Sequence, residues 1–149
     1  MTCVFKSNSL EIKKINNNFH LNLKESENTD KFLLSLRNLN LKKNQKVYVF
    51  SSSIVMSLKT FLKTQNKSLT YIDLVSLFIS LKTQIELLKN ENLGVLFFDL
   101  DDIMLVKTES YYEFYFMNPS MIFEMDNEKL KVDKIFNKKN KFLSPELLT

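Results

Sequence analysis

Residues 70 to 91 carry the longest helical period in the chain, and they constrain the fold more than any other segment. Leu74, Val75, Phe78, Leu81, Ile85 and Leu88 recur three or four residues apart. Thr70, with Asp73 three residues on, imitates a capping box at the start. Asn92 or Gly94 can take the left-handed turn that stops the helix. The stripe is wide, so this helix is expected to organise a core. On both sides the period changes to strand. Leu10, Ile12 and Ile15 alternate roughly, Asn16–Asn18 signals a turn, and Phe19, Leu21 and Leu23 alternate with His20, Asn22 and Lys24. That pattern predicts a hairpin with one buried face. Thr29 can cap a short helix carrying Phe32, Leu33 and Leu36. Val47–Phe50 reads as a strand, and Val55, Leu58, Phe61 and Leu62 read as a second helical stretch. Beyond the long helix, Ile103–Val106, Tyr112–Met117 and Met121–Met125 read as strands, with Thr108–Ser110 turning between the first two. Leu130 and Val132 suggest another. The order predicts an α+β protein.

Composition narrows the chemistry. Gly94 is the only glycine among 149 residues. A Walker phosphate loop, a dinucleotide-binding fingerprint and a glycine-rich flap each need at least two, so none can form. The bias toward Lys, Asn, Ile, Leu and Phe, with no alanine, resembles that of an AT-rich genome. Cys3 is the only cysteine and His20 the only histidine, which excludes an intrachain disulfide and a zinc site of ordinary composition. Lack of disulfides fits a reducing, intracellular setting. No apolar run approaches the ~20 residues a membrane helix needs. The net charge of +4 is mild, and the densest lysine run, Lys134 to Lys141, reads as a solvated loop. With no arginine cluster, nucleic-acid binding is not expected.

One cluster carries chemical information. Asp99, Asp101 and Asp102 follow the apolar run Val95-Leu96-Phe97-Phe98. An apolar strand ending in Asp-x-Asp resembles the first motif of haloacid-dehalogenase-like phosphatases. That resemblance implies Asp99 as nucleophile, Asp101 as acid and a Mg²⁺ ion between the phosphate and the carboxylates. It requires a central parallel strand followed by a helix, and it covers about a dozen residues.

A second resemblance spans residues 19 to 147 and rests on the order of elements. The chain is similar to the protein-kinase fold, and most of all to short kinase-like proteins encoded by large DNA viruses. Val47–Phe50 resembles the strand entering the hinge. Met56–Lys63 resembles the short helix after it, and Thr70–Asn90 the long helix below. Phe97–Val106 falls where the catalytic loop and its following strand belong, and Tyr112–Met117 where the strand into the metal-binding Asp-Phe-Gly belongs. Ser144-Pro145-Glu146 resembles the Ala-Pro-Glu that ends the activation segment. The fold this implies is a truncated kinase-like α+β unit. Residues 1–50 make a small strand-rich lobe with one helix, and residues 51–149 make part of the helical lobe with a β-hairpin.

The same resemblance tests the chemistry position by position. Lys24 stands for the nucleotide-binding lysine, but the helix from Thr29 offers no Glu to pair it. Asp102 falls at the metal-binding position of the catalytic loop. Asp99 takes the role of the base only with a two-residue deletion. Tyr115 stands where the metal-binding Asp is expected, thirteen residues after Asp102. Phosphoryl transfer depends on Mg²⁺ held to neutralise developing charge. The expectation is therefore a catalytically degenerate binding or regulatory module with no cofactor. ATP and Mg²⁺ enter only if activity is retained, as in an atypical Mg²⁺-dependent kinase using Asp99 and Asp102. A protein partner or a second copy is expected on the apolar face of the 70–91 helix. The implied setting is intracellular, in the host cytoplasm or virion.

Overall fold

The computed structural model describes residues 1–64, 68–126 and 129–130. It is a mixed α+β protein, with antiparallel sheets and three α-helices among the described residues. The first sheet holds β1 (Thr2–Ser7), β2 (Leu10–Ile15), β3 (Asn18–Leu23), β4 (Lys42–Asn44) and β5 (Val47–Phe50) in the order β1-β2-β3-β5-β4. The expected hairpin is β2–β3. Ile12 lies opposite Leu21 and Leu10 opposite Leu23, so one face gathers the apolar side chains. Asn16 takes the left-handed conformation at the turn, with φ 56°.

Two strands here were not legible in the sequence. β1 has Val4 and Phe5 adjacent, which breaks alternation. A bulge between Cys3 and Phe5 resets the register, and Phe5 reaches the core. β4 is fully exposed and carries no apolar residue; its lysines suit an open sheet edge. Helix α1 (Thr29–Leu34) begins one residue before the expected point. Asn28 holds the cap position, and Thr29 is the first helical residue, its Oγ1 accepting the Ser26 N–H at 2.7 Å.

The rest of the chain builds two three-stranded sheets. β6 (Val55–Ser57), β8 (Ile103–Lys107) and β9 (Tyr112–Phe116) form one, in the order β6-β8-β9. β7 (Leu93–Val95), β10 (Ile122–Asp126) and β11 (Lys129–Leu130) form the other, in the order β11-β10-β7. The second helix starts later than its spacing suggested. Val55 and Met56 pair with β8, and α2 covers Leu58–Thr64, with Ser57 Oγ accepting the Thr60 N–H at 3.0 Å. Ile135, Phe136, Val132, the lysine run from Lys134 and Ser144-Pro145-Glu146 lie outside the described residues.

Helix α3 (Tyr71–Asn90) forms as its sequence dictates. The Thr70–Asp73 capping box is closed by both of its bonds, at 3.2 and 3.3 Å. Of the two candidates for its stop, Asn92 turns with φ 59°. Gly94 sits within β7 opposite Phe123 and has no positive φ, so the helix end does not need it. The expectation that α3 organises a core holds for only part of its stripe. Leu81 and Leu88 pack inward, while Leu74, Val75, Phe78 and Ile85 are exposed.

The reason is what α3 covers. It lies along the open edge of β9 rather than on a sheet face. An open edge presents N–H and C=O groups, so the inward stripe must supply polar partners. Ser76 Oγ donates to the Tyr112 carbonyl. Gln84 is 2% exposed and pairs with both backbone groups of Phe116. The spacing matches: eight helical residues advance about 12 Å, and four strand residues about 13 Å. Ser76 and Gln84 face in beside Leu77, Leu81 and Leu88, and the rest of the apolar stripe is left outside.

One apolar cluster joins both parts of the chain, from Ile12, Leu21 and Phe32 to Leu88, Met104 and Ile122. A smaller one gathers Leu58, Phe61 and Phe114. Among the described residues, no helix is long and apolar enough to cross a membrane.

Candidate functional site

The acid cluster sits between β7 and β8, on a loop anchored by the buried Leu96 and Phe97. Leu96 N–H donates to the Met121 carbonyl at 2.9 Å, which fixes where the acids begin. Asp99 then caps a single 3-10 turn, Leu100–Asp102, and its Oδ1 accepts the Leu100 N–H at 2.7 Å. Asp102 closes the turn from the other end: its Oδ2 accepts the Asp99 N–H at 3.1 Å. A carboxylate three residues apart from another thus makes a local turn, by the same reciprocal bonding that starts α3.

The other oxygen of Asp102 is also taken. Asn118 Nδ2 donates to Asp102 Oδ1 at 3.0 Å, and Ser120 Oγ donates to Asn118 Oδ1 at 2.6 Å. Met117 N–H reaches the Asp102 carbonyl at 2.8 Å. The segment that leaves β9 is therefore stitched to the acid turn by side chain and backbone together. Burial raises the Asp102 carboxyl above its ordinary value. The hydrogen bonds from the Asp99 backbone and Asn118 oppose this, and the charges of Asp99 and Asp101 add to it. Asp101 points away, to Lys59 Nζ at 3.3 Å, in a pair more than half exposed. Such a pair contributes little.

From the first sheet, the β1–β2 turn reaches down onto the same residues. Ser7 Oγ donates to the Met117 carbonyl at 2.7 Å, and Asn8 Nδ2 to Ser120 Oγ at 3.4 Å. Between these contacts lies a cavity of about 750 Å³, whose lining includes Lys6, Ser7, Thr60, Asp99, Asp101 and Asp102. The two candidate acids thus share one cleft. Lys24 does not line it. It sits exposed beyond the end of β3, and the cleft's lysine is Lys6 on β1.

Tyr115, which stands where the resemblance expects a metal-binding acid, is buried in β9. Its hydroxyl donates to Glu113 Oε2 at 2.7 Å, and burial followed by that bond pushes its pKa well up. The residue that faces Asp102 is Asn118, sixteen positions on. Asn118-Pro119 carries a turn signal in the sequence, and Ser7-Asn8 sits between two strands. Only the fold shows that both meet the acids. A Mg²⁺ ion of the kind the resemblance implies would have to share oxygens that already serve the protein. Both oxygens of Asp102 accept N–H bonds, an amide stands opposite, and among the described residues no group of three His, Cys, Asp or Glu could hold a metal. Nor do the described residues have the phosphatase topology. β7 pairs antiparallel with β10, and the acid turn leads into the antiparallel hairpin β8–β9 instead of a helix.

A second candidate surface is the outward face of α3. Tyr71, Ile72, Phe78 and Ile79 are 81%, 70%, 72% and 59% exposed. Apolar patches beyond a few hundred Å² mark interaction sites in soluble proteins.

Comparison with protein-family models, curated proteins and solved structures gives no match.

Proposed function

We infer that the chain is a catalytically degenerate protein-kinase-like module that works by binding another protein chain rather than by transferring phosphate. The observation that carries this reading is the state of Asp102. At the position the resemblance assigns to metal binding, both carboxylate oxygens are engaged by protein donors, one of them an amide from Asn118. A cation there would have to share oxygens that already accept N–H bonds, and it would face the N–H donor of Asn118. The order of elements supports the kinase-like part. A five-stranded antiparallel sheet carries one helix between its third and fourth strands. A short helix, a long helix and an antiparallel hairpin with the acid turn at its foot come after it. The β1–β2 turn, which in such a reading would cover nucleotide phosphates, is bonded to residues 117 and 120. Binding would use the outward face of α3.

The experiment is a melting curve with and without millimolar ATP and Mg²⁺. The expected result is no shift in Tm. A clear upward shift, lost in Asp102→Ala, would restore the atypical Mg²⁺-dependent kinase in which Asp99 is the base and Asp102 holds the metal, since both line the cleft.

A further inference from the structure

The outward face of α3 repeats the seam spacing that its inward face shows at Leu77, Leu81, Gln84 and Leu88. Tyr71, Val75, Phe78, Lys82 and Ile85 succeed one another at intervals of four, three, four and three residues, and all five are exposed. That is the spacing of a two-helix seam, in which a narrow stripe meets an identical stripe on a partner. Ile72 and Ile79 flank it. The inward stripe is occupied within the chain: Ser76 and Gln84 serve the strand edge, and Leu77, Leu81 and Leu88 pack on the core. The outward seam has no such local task.

We propose that a second copy of this chain covers the face, with the two α3 helices antiparallel about a two-fold axis that crosses the seam between Phe78 and Lys82. In that register Val75 meets the partner's Ile85, and Phe78 meets the partner's Lys82, each twice by symmetry. The first pair is apolar against apolar. The second lays a lysine stem and ammonium against an aromatic ring, a contact that lysines of this chain already make internally at Phe19, Tyr48 and Tyr112. A parallel pairing would instead set Lys82 against Lys82 and align the helix dipoles. The seam is thus complementary to its own reverse, because its aromatic half lies toward the N-terminus and its basic half toward the C-terminus. The area is sufficient. If a fully exposed large apolar side chain offers on the order of 150–200 Å², the exposed apolar residues of α3 present roughly 700 Å². A stable interface takes about 800 Å² per partner, and the flanking polar residues supply the remainder.

This inference rests on reading the α3 face as a binding surface, and it commits that surface to self-association. The test is sedimentation or light scattering on the full chain across micromolar to hundred-micromolar concentration. The wild type is expected at the mass of two chains. Val75→Glu alone and Ile85→Lys alone are each expected to be monomeric with an unchanged circular-dichroism spectrum, since both positions are solvent-exposed, and to lose any dependence of Tm on protein concentration. Val75→Glu combined with Ile85→Lys in one chain is expected to restore the dimer, because the register sets the new acid of one copy against the new base of the other. A wild type that stays monomeric overturns self-association and leaves the face to a different protein, with the binding reading intact. Single variants that remain dimeric overturn the surface. A double variant that remains monomeric overturns the antiparallel register.

Discussion

Gln84 decides whether α3 stays on β9, and replacing it gives a sharp measure of that. Its side-chain amide acts as a missing strand. Oε1 accepts the Phe116 N–H at 2.6 Å, and Nε2 donates to the Phe116 carbonyl at 2.8 Å and to Ser35 Oγ at 3.3 Å. Ser35 in turn donates to the Phe32 carbonyl at 2.6 Å, so α1, α3 and β9 hang on one amide. Gln84→Met keeps the length and volume and removes all three bonds, two of them to the Phe116 backbone. Phe116 is 4% exposed, so water cannot replace what is lost. Two orphaned backbone groups at about 1–3 kcal/mol each give a loss of about 4 kcal/mol, out of a total stability of about 5–15 kcal/mol. For a chain of this size that lowers Tm by about 8–16 °C. Urea unfolding followed by tyrosine signal reads the change directly. Gln84→Glu separates the bond from the packing. Ionised, it offers an acceptor to the Phe116 carbonyl and fails; protonated, it donates again. Its deficit relative to wild type should shrink as pH falls. A Gln84→Met loss below about 1 kcal/mol, or a Gln84→Glu deficit that is flat with pH, would refute the argument that α3 is held by servicing a strand edge.

Other consequences come from the same geometry. Asp102 has a carboxyl raised above 3.8 by burial, so the folded state binds its proton more tightly than the unfolded state. The stability this adds is present below pH 3.8 and lost as pH rises through the folded value. Asp102→Asn, with the Asn118 amide turned over, should therefore gain stability relative to wild type between pH 4 and 7, by more at the higher pH; urea midpoints at both values check this. Thr70→Ala removes one bond of the capping box and should cost about 1 kcal/mol, read as a fall of about 2–4 °C in Tm. Ser7→Ala frees the Met117 carbonyl and loosens the β1–β2 turn. Amide exchange should quicken around residues 7–9 and 117–121 and stay unchanged in β8.

Local rules account for much of this protein. The capping box at Thr70 and the alternation of Phe19, Leu21 and Leu23 each name an element, because a cap bond or a side-chain period belongs to one backbone geometry. The acid turn was visible as a cluster, but not as a pair of reciprocal caps. Asp99 and Asp102 do opposite halves of one job only once the backbone has turned between them. β1 and β4 were hidden for different reasons: a bulge erased the alternation of the first, and edge exposure removed the apolar signal of the second.

What only the tertiary structure decided is which side of each element is inside. A helical stripe of Leu, Val, Phe and Ile reads as a core face, because apolar surface leaves water wherever it can. Here α3 covers a strand edge, and an edge needs hydrogen bonds before it needs apolar cover. Gln84 and Ser76 therefore took the inside, and Phe78 and Ile85 went out. The partner of Asp102 is decided the same way. Asn118 is sixteen residues away along the chain, and it becomes a neighbour only because β8 and β9 fold back on one another. The sequence determined the elements; the requirement that every buried backbone group find a partner determined their faces.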